Sequence, residues 1–303
     1  MSLIKSLKSL FITLPFLALF VACGGGKNSI EVDSTNAAPT LAEGEYWLTG
    51  DILSKSEVRQ TLLVRHDEII GLMPAMTMEF MVSISDFTMA KPDMPIRAIL
   101  FQNEEGFVLK NIWPNKTEQS RILKEATDVL QKDTEKRGFR VYRDIGESLP
   151  EFALYNQNAE LVYSDKFRGK QIVLNFIFTR CPDANMCPLS TTKMMQLQAK
   201  AAQMGISNLQ LISVSLDPEY DTPGILNEFA LMRGIDTSNF SFLTGPEGLL
   251  KNFFRQLGVS VSTKDNLINH SLNTLLIDET GQIIHLQEGS NWDPDEFLNR
   301  LKK

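Results

Sequence analysis

Two cysteines in the run Thr179-Arg180-Cys181-Pro182-Asp183-Ala184-Asn185-Met186-Cys187-Pro188 are the side chains best suited to chemistry. The apolar run before them, QIVLNFIF, reads as a buried strand, and the residues from Pro188 to Met204 read as a helix. Both thiols therefore sit at a strand-to-helix turn. Proline suits the first helical position, which places Cys187 at the N-cap, where unpaired N–H groups and the helix dipole favour thiolate. Thiolates serve disulfide exchange and soft-metal binding equally. A purely structural disulfide here would close a tiny ring and stabilise little. A second concentration of soft donors lies upstream, where six of the 12 methionines (Met73, Met76, Met78, Met81, Met89 and Met94) fall within 22 residues. Along a strand Met76 and Met78 project to the same face, and thioethers select Cu(I) while staying uncharged and unable to form disulfides.

The elements that must position these groups follow from patterning. Lys5 and Lys8 precede an uncharged stretch from Ser9 to Ala22, too short to span a bilayer, so residues 1–22 read as a signal peptide. Residues 23–43, rich in Gly, Ser, Asn, Ala and Pro, suit a flexible tether. Residues 44–115 hold five β-type runs separated by turn residues, which predicts a small antiparallel barrel. Residues 116–138 form a helical connector with Ile122, Leu123, Ala126, Val129 and Leu130 on one stripe and Gly138 as its stop. From 139 to 303, near-continuous apolar strands alternate with helices at Pro188–Met204, Pro223–Arg233, Glu247–Leu257 and Pro294–Leu301, as in an α/β sheet covered on both faces. A closing antiparallel hairpin turns at Asp278–Gly281, as in thioredoxin-like folds.

The motifs NFIFTRCP, MCPLS, SVSLDPEYDTP and NHSLNTLLID, in that order, resemble the Sco/SenC family of copper-binding thioredoxin-fold proteins that assist cytochrome oxidase assembly. The resemblance runs from Phe139 to Lys303 and implies copper ligands at Cys181, Cys187 and His270, with Asp217-Pro218 as the family's Asp-Pro pair. The five residues between the cysteines exceed the family's usual three, and Met186 lies among them as an additional soft donor. Asn273 stands where thioredoxins carry the cis-proline that docks disulfide substrates. His66-Asp67-Glu68-Ile69 followed by Met73-Pro74-Ala75-Met76-Thr77-Met78 resembles the CusF-like periplasmic copper-binding barrel, an OB-like fold. That resemblance implies ligands at His66, Met76 and Met78, and Met73, standing where the family carries a tryptophan, is expected to add a third thioether ligand. Met81, Met89 and Met94 read as core. His285 follows strand alternation and Asp217 initiates a turn, so neither receives a role. Phe20-Val21-Ala22-Cys23-Gly24 resembles a bacterial lipobox, which implies lipidation at Cys23.

Net charge is −7, and −9 once Lys5 and Lys8 are removed, which excludes nucleic acid as a partner. Three cysteines exclude a disulfide framework and paired CxxC zinc units. The expected protein is a lipid-anchored envelope metallochaperone facing the periplasm. It would carry Cu(I) to an apo-protein such as a cytochrome oxidase subunit, and would be no turnover enzyme. Two alternatives stand beside it: a thiol–disulfide oxidoreductase using Cys181 and Cys187 as its redox pair, and a copper-buffering or tolerance protein.

Overall fold

The computed structural model describes residues 41–264 and 267–301, so Cys23 and the lipobox lie outside the described residues. Five strands, β1 (Tyr46–Ser56), β2 (Thr61–His66), β3 (Met76–Val82), β4 (Met94–Asn103) and β5 (Gly106–Pro114), close into a barrel in the order β1-β2-β3-β5-β4. Each coincides with one of the β-type runs. The barrel is not wholly antiparallel, because β5 runs parallel to β3 at Met81↔Val108 and Val82↔Leu109. A short helix α1 (Ile84–Met89), too brief to show a period in sequence, makes the β3-to-β4 connection. Its cap is reciprocal: Ser83 Oγ accepts the Asp86 N–H and donates to the Asp86 carboxylate, both at 3.0 Å. Leu48, Ile52, Leu62, Val64, Phe80, Ile96 and Leu100 fill the interior. Met89 and Met94 join them, whereas Met81 is half-buried on the outward side of β3.

Helix α2 (Thr117–Arg137) ends at Gly138, whose φ of 94° lies in the region that glycine occupies without strain. It packs on the helix Glu247–Gln256, burying Leu123, Leu130 and Thr134, while Val129 faces solvent. The expected stripe is thus rotated by about one position.

The remaining strands are β6 (Ala153–Asn156), β7 (Leu161–Tyr163), β8 (Gln171–Ile177), β9 (Leu209–Ser215), β10 (Phe240–Thr244), β13 (Asn273–Ile277) and β14 (Ile283–Glu288). They form a seven-stranded sheet ordered β14-β13-β8-β9-β10-β6-β7. Strands β8, β9 and β10 are parallel, with every residue of β8 and β9 buried, and β13 joins β8 antiparallel. Helices α3 (Cys187–Gln203), α4 (Pro223–Met232), α5 (Glu247–Gln256) and α6 (Pro294–Arg300) cover this thioredoxin-like sheet. The pair β11 (Val261–Lys264) and β12 (Leu267–His270) forms a separate hairpin. Strands β6, β7, β11 and β12, of three or four residues each, carry too little pattern to read from sequence.

The barrel meets the sheet's helices at α1 and α4. Asp86 lies so close to Gly224 that a Cβ there would stand 2.6 Å from Asp86 Oδ1. Lys91 pairs with Glu160 across the same junction at 3.3 Å, and Ala159 packs on the barrel core. No helix among the described residues is long and apolar enough to cross a membrane.

Candidate metal centre

Strand β8 delivers the chain from Phe178, which is buried, into the exposed loop Pro182–Asn185 and then into α3. Helix α3 begins at Cys187 itself, with Met186 as its N-cap and Pro188 in its first turn. The N-cap position expected for Cys187 is therefore corrected by one residue. The shift carries the thiol inward, to 1% exposure, while Cys181 stays partly accessible. Burial pushes the Cys187 thiol up, a backbone N–H near Phe178 pulls it down, and the neighbouring Cys181 pushes it up again. Burial, the largest of these effects, opposes the thiolate that the sequence predicted.

His270, at the end of β12, reaches the same place. Its Nε2 is 3.8 Å from Cys187 Sγ, and its ring stands edge-on to Phe178 with centroids 5.4 Å apart. Its Nδ1 is 3.1 Å from the Ser271 carbonyl oxygen. A carbonyl only accepts, so Nδ1 carries the proton and Nε2 presents its lone pair to the sulfurs. Burial lowers the His270 pKa, which keeps the ring neutral. The ligand atoms of Cys181, Cys187 and His270 all lie within 4.8 Å of one another. Two sulfurs and one imidazole nitrogen at that spacing form a soft, three-donor pocket suited to Cu(I). Met186 is half-buried at the N-cap.

The sequence reading gave no weight to Asp221. It is fully buried, its carboxylate accepts the Thr179 N–H, the Thr179 hydroxyl and the Ser215 hydroxyl, and burial raises its pKa to about 6. It thereby holds the strand exit two residues before Cys181. Asp217 also does more than turn the chain, since it accepts from Arg180 Nε at 2.6 Å. The available signal was the Asp-Thr-Pro triplet, which marks a helix start and hides the acid's second use. His285 is half-buried against Phe297 and near Glu296, away from the cysteines, as its alternation implied.

In the barrel, His66 pairs with Met76 and Val64 with Met78 across the β2–β3 register. Directly opposed residues share a face, here the interior one that also holds Leu62 and Phe80. His66 is buried, its Nδ1 lies 2.7 Å from the Asp67 carbonyl oxygen, and its buried Nε2 has no hydrogen-bond partner. The tautomer argument repeats: Nε2 keeps a lone pair directed among apolar neighbours. Met73 and Met78 pack on the barrel core, Met73 held by reciprocal backbone bonds with Ile69, and Met76 is 47% exposed at the mouth.

Fold and site together define a thioredoxin-like protein with a dithiol–imidazole pocket. The SCO1/SenC family model matches residues 143–303, and the chain belongs to that family. A SCO2-like protein of Rickettsia prowazekii is 31% identical over 151 residues, 48% of this chain and 71% of that protein. The SCO1 protein homolog of Bacillus subtilis is 30% identical over 158 residues, 50% of this chain and 79% of that protein. The crystal structure of a SCO1/SenC family lipoprotein from Bacillus anthracis is 29% identical, covers 52% of this chain and 96% of that one, and overlays with a TM-score of 0.47.

Proposed function

We propose that this chain is a copper metallochaperone of the bacterial cell envelope, anchored by lipid at Cys23 and facing the periplasm. It takes Cu(I) on Cys181, Cys187 and His270 and passes it to an apo-protein, a cytochrome oxidase subunit being the expected recipient. The observation that carries this reading is the convergence of two free thiols and a neutral imidazole lone pair from distant parts of the chain. A redox pair needs only the sulfurs; the imidazole is explained by an ion. Copper is here the cargo, and each ion must displace the Cys187 proton.

The same reading divides the chain at 44–115, 116–138 and 139–303. It makes the barrel a CusF-like, OB-like module that holds a second Cu(I) on His66, Met73, Met76 and Met78. The strand order 1-2-3-5-4 and the helix between the third and fourth strands support the OB-like description. The unpartnered His66 Nε2 opposite Met76 supports the ligand set.

Titration of the reduced, metal-free chain with Cu(I) against a competing chelator tests both sites. Two equivalents are expected. His270→Ala should weaken one and Met76→Leu with Met78→Leu should remove the other. Unchanged affinity in His270→Ala would remove the histidine from the site and favour the oxidoreductase reading. That reading then predicts dithiol-dependent reduction of a client disulfide by the His270→Ala chain at the unaltered rate.

A further inference from the structure

Apart from both sulfur-rich sites, a cleft of about 450 Å³ opens where the outer face of the barrel, helix α2 and the sheet edge meet. Its volume lies in the range of small-molecule sites, roughly 300–1,000 Å³. Trp47 and Trp113 from the barrel, Leu123 from α2 and Tyr155 from β6 supply the apolar walls. The Trp113 and Tyr155 rings are 6.2 Å apart and tilted. Register places Arg97 on β4 between Thr49 and Trp113, on the barrel's outer side, with its guanidinium 5.3 Å from the Trp47 ring centroid.

Arg97 is the unmatched charge of this cleft. Among the described residues its guanidinium has neither an ion pair nor a hydrogen bond; the side chain is exposed overall, and the partial desolvation of its head against Trp47 lowers its pKa from the usual arginine value. Burial likewise pushes the Tyr155 phenol up to about 12, so it remains a donor at neutral pH, and its hydroxyl finds only Gln119 Oε1 at 3.4 Å. The acids of the rim are otherwise engaged: Asp128 pairs with Lys124 at 3.1 Å and Glu247 with Lys251 at 2.7 Å, while Glu219 is exposed. Perturbed titratable groups converging in an aromatic cleft are the physical signature of a binding site.

We propose that this cleft binds a small monocarboxylate carried on a flat apolar body. The carboxylate would sit on Arg97 and the Tyr155 hydroxyl, and the body between the indole rings and Leu123. An Arg fork matches a carboxylate in two parallel hydrogen bonds, and flat rings pack best on indoles. Polyphosphates are disfavoured, because a single free cation faces a rim that carries three acids. Since the walls come from barrel, connector and sheet, an occupant at free concentration L that binds only the folded chain stabilises it by RT ln(1 + L/Kd).

The chain's three tryptophans make the test direct. The full, metal-free chain labelled with ¹⁵N-tryptophan is titrated with 2-naphthoate and, separately, with neutral 2-naphthamide. The indole N–H resonances of Trp47 and Trp113 should shift with 2-naphthoate, while buried Trp292 stays fixed and reports that the chain is folded. The amide should bind at least about tenfold more weakly, as should 2-naphthoate to Arg97→Gln. Arg97→Lys should retain the preference for acid over amide at reduced affinity. No shift at millimolar 2-naphthoate, equal binding of acid and amide, or undiminished binding to Arg97→Gln would each overturn the proposal.

Discussion

Cys187 Sγ and His270 Nε2 lie 3.8 Å apart although 83 residues separate them in the chain. The contact depends on the short β11–β12 hairpin, which ends at His270, and on helix α3, which begins at Cys187. Cys181 completes the group from the loop that leaves β8.

The two thiols should react unequally. In a Cys23→Ser chain, iodoacetamide is expected to modify Cys181 at least about tenfold faster than Cys187, because Cys187 is buried and its thiol is pushed up chiefly by that burial. Peptide mapping of partly alkylated native protein gives the ratio. Equal labelling would contradict the geometry.

Asp86 should make stability depend on pH. It is 3% exposed, burial raises its pKa to about 7, Ser83 pulls it down, and the charge of Glu228 on α4 raises it further. Lys55 is engaged with the carbonyl oxygen of Phe87, the next residue. The folded pKa exceeds the unfolded value of 3.8, so the contribution is fully present below pH 3.8 and is lost as pH rises through about 7. The loss is on the order of 4 kcal/mol. Urea unfolding of wild type and Asp86→Asn at several pH values should show the slope in the former and a flatter profile in the latter.

Gly224→Ala reads the contact between barrel and sheet. In an open helix such a change gains about 1 kcal/mol. Here a new Cβ would lie 2.6 Å from Asp86 Oδ1 and 3.2 Å from the Asp86 backbone nitrogen, so a loss of about 1–3 kcal/mol is expected. A stabilised Gly224→Ala chain would mean that α1 and α4 are not in contact in solution.

Gly50→Ala should injure the barrel site selectively. Its Cβ would meet the Arg65 carbonyl oxygen at 2.5 Å and His66 Cα at 2.7 Å, displacing the strand that carries the imidazole. Loss of the methionine-dependent Cu(I) equivalent is expected with the cysteine-dependent one retained, as read by competitive titration of the two chains. Equal retention of both would dissociate His66 from that equivalent.

The sequence shows the long strands and helices plainly because each is long enough to carry a period. The five barrel runs and helix α2 are legible in this way, as is the wholly buried, mostly apolar pair β8 and β9. What is missed is short or tertiary. Helix α1 has one and a half turns, and β6, β7, β11 and β12 have three or four residues each. The parallel β3–β5 pair comes from barrel closure, which no local pattern encodes. Cys181 and Cys187 are conspicuous by residue type and spacing, and His270 by family resemblance. The direction of the Cys187 shift is not conspicuous, since the helix start predicts a lowered pKa and only the packed structure reveals the opposing cost of burial. Asp221 is hidden for the same reason: its partners Thr179 and Ser215 come from two different strand ends.

The two sides of the sulfur site also differ in how they are held. Behind Cys187, the Ser190 hydroxyl receives hydrogen bonds from Asn175 on β8 and from the Trp292 indole, and Ser213 on the central strand β9 donates to Asn175 in turn. That clamps the first turn of α3 to the middle of the sheet. Cys181 follows the anchored pair Thr179 and Arg180 and packs partly on the core, but the chain beyond it is the exposed loop Pro182–Asn185. The site is therefore a vice with one fixed jaw and one sliding jaw. A change in the distance between the sulfurs, whether to grip an ion, to close a bond or to admit a visiting sulfur, falls more readily on Cys181, which opens onto the exposed loop, than on the clamped Cys187.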